Sequence, residues 1–281
     1  MTIVDQIIAH AESLPTLPGA VAQLTRLVND ESSSSVEFEK AIKPDPALTA
    51  NLLKMANSAY FAPRESIVSV RQAITRLGLK RVFDVALSAG FARVIPKYLP
   101  GYRLLAADFW RHSLAVAVIA EMLTKRLGLV QPESIFTAGL LHDIGKLAVG
   151  MFLEDRMELV QSALIDENST FFDIEKTLLG TTHAEVGGRL IAEWNLSPAI
   201  ATVATFHHRP DDVDEDHQEL VDLVHIANAL AHRLGIGCDT GELKRSSAAT
   251  SAERLGLRVQ ILESVASEAT GLVAEMGKAI E

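Results

Sequence analysis

Gly139-Leu140-Leu141-His142-Asp143-Ile144-Gly145-Lys146 is the stretch around which the rest of the chain is read. A histidine and an aspartate stand side by side in an apolar run, and a lysine follows four residues after the histidine. Burying that pair beside leucines is costly unless something pairs with it. A divalent cation would accept the imidazole and the carboxylate together, whereas the plainer alternative is a hydrogen-bonded pair with no ion. The surrounding pattern predicts one helix over 133–149. On it Lys146 would share a face with His142 and could meet a phosphate oxygen beside a metal.

Working outward, the punctuation is helical almost throughout. Short amphipathic helices are expected over 3–13 and 19–28, around Leu14-Pro15-Thr16-Leu17-Pro18. Ser34 with Glu37, Ser69 with Gln72 and Thr182 with Glu185 are capping-box starts, and Asp45-Pro46 is an N-cap followed by proline at the first helical position. Gly78 and Gly128 are stops. The stretch Pro96–Leu105 reads as a loose seam, the acidic run Asp211–Glu219 as a solvated loop, and Gly235–Ser251 as a Gly/Ser/Ala-rich linker before a last amphipathic helix over 257–279. No strand pattern emerges. The expected fold is all-α, in two helical parts: residues 1–100, a helical core over 101–235 that carries the candidate site, and a loop with a terminal helix over 236–281.

The histidines are distributed in a way that supports a site. His112 lies on the long helix expected over 108–127, thirty residues before His142-Asp143. His183 opens a capped helix, His207-His208 end another, and Asn228 sits on the next. Ligands presented one by one from separate helices are how a bundle holds a metal in its core. Four or five imidazoles with an aspartate could fill one six-coordinate site, or two sites bridged by the carboxylate. Asp108, four residues before His112, could orient it or cap the helix. His10, His217, His225 and His232 read as solvated or helix-surface residues. Lys146 could equally carry its charge out to solvent.

These motifs resemble the HDOD family, the HD-related output domains within the HD metal-dependent phosphohydrolase superfamily. The resemblance runs over about 14–232. It comprises Leu14 to Pro18, Asp45-Pro46-Ala47-Leu48, Ala56-Asn57-Ser58-Ala59-Tyr60, Leu77-Gly78, Phe109-Trp110-Arg111-His112-Ser113, Gly139 to Lys146, His183-Ala184-Glu185-Val186-Gly187 and His207-His208. It implies an HD-type helical core in the second half. Metal would be held by His112, His142, Asp143, His183, His207 and His208, as one or two ions of Fe, Mn or Zn, with Asp143 and Lys146 as the reacting groups. Two departures stand out. Asn228 occupies the place of the superfamily's final aspartate, so it would be a weak or indirect ligand. The paired histidines are followed by Arg209-Pro210-Asp211 rather than a GYP signature, so cyclic di-GMP hydrolysis is not implied.

Composition narrows the function classes. The 281 residues are 48% hydrophobic, and 26 basic against 36 acidic residues leave a formal charge of −10. That balance argues against broad binding to nucleic acid or anionic membranes, and Leu79-Lys80-Arg81 is the nearest approach to a basic patch. No apolar run reaches the roughly 18 residues of a membrane helix. The single cysteine, Cys238, excludes an internal disulfide and fits a reducing compartment, so a cytoplasmic location is expected. The expected role is bacterial signalling through a protein partner, with an HD-type metal site. The alternative is a metal-dependent phosphohydrolase acting on a nucleotide or other phosphoester.

Overall fold

The computed structural model describes residues 3–13, 18–61, 63, 65–130, 132, 134–164, 170–237 and 248–277. Leu14 to Leu17, Cys238 and most of the Gly235–Ser251 linker lie outside them. The helices, in chain order, are Ile3–Ser13 (α1), Gly19–Val28 (α2), Ser35–Ile42 (α3), Pro46–Ala56 (α4), Val70–Leu77 (α5), Leu79–Val94 (α6), Ala106–Leu127 (α7) and Ile135–Leu141 (α8). There follow Lys146–Glu154 (α9), Met157–Leu164 (α10), Phe171–Leu179 (α11), His183–Glu193 (α12), Pro198–Phe206 (α13), Glu215–Arg233 (α14), Ala249–Arg254 (α15) and Val259–Gly277 (α16). The all-α expectation holds.

The chain divides into two compact units: Met1–Leu14 with Ile95–Thr270, and Pro15–Val94 with Gly271–Glu281. Helix α1 thus groups with the elements after Ile95. In the smaller unit, local chemistry starts each helix where the sequence indicates. Ser34 and Glu37 close a reciprocal capping box, and Asp45 accepts from the Leu48 amide at 2.9 Å while pairing with Arg93 at 2.6 Å. Ser69 completes only half of its box, because the Gln72 amide oxygen accepts from Val68 N–H instead. Phe38, Leu48, Leu52, Met55, Phe91 and their neighbours fill the core beneath.

In the larger unit α7 is the axis, packed on α8 and α14, with α12 and α13 paired beside them. Three expectations change here. The seam is a minimal antiparallel hairpin, Tyr98–Leu99 (β1) with Leu104–Leu105 (β2), closed by a 3₁₀ turn at Pro100–Tyr102 that turns Tyr102 into the core. The acidic run is not simply loop: Asp214 caps α14 by accepting from the His217 amide, and Glu215 and Asp216 complement the positive end of its first turn. Ile135–Glu154 is long and apolar enough to cross a membrane by length and composition, contrary to the run-length reading, yet 89% of its most apolar 18-residue window is buried inside the protein. It is core.

The decisive difference concerns that same stretch. The expected helix over 133–149 breaks into α8 and α9, and His142–Gly145 form the break, held by tight bonds from Ile144 N–H to Leu141 O and from Lys146 N–H to Asp143 O. A Cβ on Gly145 would collide with the His183 carbonyl and stand 2.7 Å from the Gly187 amide, both backbone. The glycine therefore lets α12 approach the break. Gly145→Ala is expected to destabilise the protein by at least about 1–3 kcal/mol, since neither neighbour can rotate aside. An unchanged thermal midpoint would show that α12 does not rest on the break.

Candidate metal centre

The break turns the Asp143 carboxylate to the middle of the larger unit, where four segments (α7, the break itself, the start of α12 and the end of α13) bring five imidazoles together. His183 Nε2 and His207 Nε2 lie 3.3 and 3.4 Å from Oδ1. His142 Nε2 and His112 Nε2 lie 3.5 and 4.0 Å from Oδ2. His208 meets His183, Nε2 to Nε2, at 2.9 Å. Two groups result, Asp143 with His183, His207 and His208, and Asp143 with His112 and His142; within each, the ligand atoms lie no more than 4.8 Å apart. Asp143 alone belongs to both.

Four of the five rings, all but His208, are fixed through their other nitrogen. Nδ1–H of His142 donates to Gly139 O at 2.8 Å, that of His207 to Ala204 O at 2.8 Å, and that of His112 to Ile236 O at 3.1 Å. His183 Nδ1 donates to Glu175 at 2.8 Å. A proton held at Nδ1 leaves the Nε2 lone pair pointing inward, the arrangement that orients imidazoles on a metal. His142 Nε2, His207 Nε2 and Asp143 Oδ1 are buried and make no hydrogen bond. Polar atoms so placed are expensive unless a cation takes them, so the donor set fits one.

A model of the HDOD domain matches residues 14–210. The chain belongs to the HDOD family. Over 99% of its length it is similar to a candidate phosphohydrolase from Shewanella amazonensis SB2B, with 29% identity, 98% of that chain covered and a TM-score of 0.76. An HDOD domain protein from Geobacter sulfurreducens is similar over 98% of this chain and 96% of its own, with 25% identity and a TM-score of 0.74. A curated relative from Treponema pallidum is 24% identical over 230 residues, and this chain spans 43% of its length.

Within this HDOD chain, the residues singled out in the sequence largely converge. His112, His142, Asp143, His183 and His207 are at most 2% exposed, and His208 is 8% exposed. Lys146 neither reaches solvent nor sits one turn along a common helix from His142. It opens α9 beyond the break, is 1% exposed, and donates from Nζ to Asp143 Oδ2 at 2.8 Å. Asn228 comes into the cluster, 2.9 Å from His112 Nε2. The Asn228 atom facing this nitrogen is Oδ1; with the Nδ1–H of a neutral His112 on Ile236 O, two acceptors face each other, an arrangement that a shared cation or a second ring proton relieves. Asp108 neither caps α7, which begins after Leu105, nor aligns His112; its carboxylate takes Arg111 at 2.6 Å.

Three residues were not anticipated. Glu175 is wholly buried, and its carboxylate accepts from His183 N–H at 2.6 Å, from His183 Nδ1–H and from the Tyr102 hydroxyl at 2.6 Å. His232, expected at the surface, is 6% exposed and packs on the His112 ring with centroids 4.4 Å apart. His225 is half-buried and bonds His207 O at 2.7 Å. Their spacing with Asn228, three and four residues, puts all three on one face of α14. Gly237, at φ +62, closes this side: a Cβ there would strike the Asp108 carbonyl and crowd His112.

Electrostatics divide the imidazoles. Burial pushes the pKa of His142 well below its usual value and that of His207 to about 4, despite the nearby Asp143 carboxylate. Burial opposes protonation of His183 too, but Glu175 on one nitrogen and Asp143 on the other raise it to about 9. Asp143, which burial alone would raise, is held well below the carboxylate range chiefly by Lys146. In metal-free protein, the His183 contribution to stability is complete below about pH 6.5 and is lost as pH rises through about 9. His207, neutral when folded, makes stability fall as pH drops from about 6.5 toward 4. Thermal midpoints of chelated protein should therefore peak near pH 6.5. A midpoint that stays level from there to pH 9 would contradict the Glu175–His183 pairing.

Proposed function

We propose that this chain is an HDOD signalling module whose HD-type centre holds a divalent transition metal, Fe, Mn or Zn, in a regulatory role. Asp143 with His183, His207 and His208 offers one ligand set, and Asp143 with His112 and His142 the other. The observation that carries the signalling reading is closure. Asp143 and Lys146 are 1% exposed and His142, His183 and His207 not at all, so the groups a phosphoester would have to touch are sealed inside the core. An ion held there ties together the turn between α8 and α9, the start of α12 and the end of α13. It would couple metal occupancy to the shape presented to a protein partner or to a phosphorylated small molecule or nucleotide.

A second reading, a metal-dependent phosphohydrolase of nucleotides or other phosphoesters, is favoured by the two donor groups meeting at one carboxylate. Bound metal would supply Lewis-acid stabilisation of charge developing on phosphoryl oxygens. The two readings part on turnover. Protein reconstituted with Mn²⁺ or Fe²⁺ and offered bis-p-nitrophenyl phosphate and a nucleotide panel is expected to release product no faster than its Asp143→Asn variant. Turnover that the variant abolishes would establish the phosphohydrolase instead.

A further inference from the structure

We infer that Lys146 is a built-in cation that fills the His112–His142 half of the centre, so that the chain holds a single metal ion, on the side of His183, His207 and His208. The inference rests on the metal reading above and deepens it.

The two oxygens of Asp143 are not equivalent. Oδ2, the one nearest His142 and His112, already receives the Lys146 ammonium at 2.8 Å. Oδ1, facing His183 and His207, makes no hydrogen bond. The imidazole nitrogens do not distinguish the halves, since His142 Nε2 in the first and His207 Nε2 in the second are both bonded to nothing, while His112 Nε2 meets Asn228 Oδ1 at 2.9 Å and His183 Nε2 meets His208 Nε2 at 2.9 Å; the two oxygens of Asp143 do. Lys146 is packed in place, with Nζ 5.5 Å from the centroid of the Tyr102 ring, and that ring is pinned by its hydroxyl to Glu175.

Charge counting limits the number of ions. The carboxylates built into this buried set are Asp143 and Glu175, and Glu175 faces away onto His183 Nδ1 and Tyr102. One divalent ion together with Lys146 exceeds those two negative charges by one. A second ion would leave three positive charges uncompensated in a site closed to water, and Asn228, a neutral amide, offers no relief.

The test is metal stoichiometry. Wild type, Lys146→Met and Lys146→Gln are loaded with excess Mn²⁺, freed of unbound metal by gel filtration, and measured by elemental analysis, with circular dichroism melts to identify folded variants. Two neutral replacements are used because one of them could fail to fold. The expected result is one equivalent in wild type, two in the folded Lys146 variants, and under a tenth in His207→Ala. Two equivalents in wild type, one in the folded Lys146 variants, or an ion retained by His207→Ala would overturn the inference while leaving the metal reading intact. No metal in any of them would overturn the metal reading itself, and the inference with it.

Discussion

Replacing Asp143 by asparagine is expected to empty the centre and to destabilise the fold by about 3–5 kcal/mol. The side chain is the one donor common to both ligand groups, so its loss cannot be compensated within either. It is also the partner of a lysine that is 1% exposed, and an ammonium left in the core without its counter-charge is among the costlier defects a protein can carry. Asparagine keeps the shape and removes the charge, so packing changes do not confuse the outcome. Metal content below a tenth of the wild-type value, together with a large fall in the denaturation midpoint, is the expected pair of results. A variant as stable as wild type would mean that the Asp143–Lys146 pair is not closed to water.

The second large effect is expected at Glu175, a residue that touches no other candidate ligand than His183. Its carboxylate accepts from the backbone and ring of His183 and from Tyr102, with no exposed surface. Glutamine in its place would turn an NH₂ group toward one of those donors and remove the charge that holds the His183 proton at Nδ1. Loss of such an outer partner typically weakens metal binding 10–100-fold, and loss of hydrogen bonds to a charged group costs about 1.5–3 kcal/mol. Tyr102→Phe is the control. It removes one donor to the charged carboxylate, costs about 1.5–3 kcal/mol, and should leave metal affinity unchanged. Equal metal affinity in wild type and Glu175→Gln would show that His183 is oriented by something else.

Much of this was legible from residues that act locally. Ser34, Asp45 and Thr182 start helices through bonds three residues along the chain, and sequence carries those bonds. The candidate ligands were visible because a histidine set among apolar residues is costly unless it is bonded, and four separate segments repeat that anomaly. What escaped was set by contacts between distant segments. At the break at His142–Gly145, α12 lies so close to Gly145 that a Cβ there would strike its backbone, a contact between segments 38 or more residues apart that the stretch 139–146 does not reveal by itself. Glu175 stands beside Lys176 in an amphipathic helix and reads as surface; only the arrival of His183 and Tyr102 makes it core. The turn of His232 into the cluster was recoverable, since His225, Asn228 and His232 follow a helical face, but that face gains its meaning from α7 lying against it.

The most direct test of the account is elemental analysis of the purified protein beside its Asp143→Asn variant, before and after reconstitution with Fe²⁺, Mn²⁺ or Zn²⁺. The account predicts one equivalent of a transition metal in the wild type and none in the variant. A wild type that holds no metal after reconstitution would contradict it, leaving the inward-facing imidazoles as a hydrogen-bonded core with no ion.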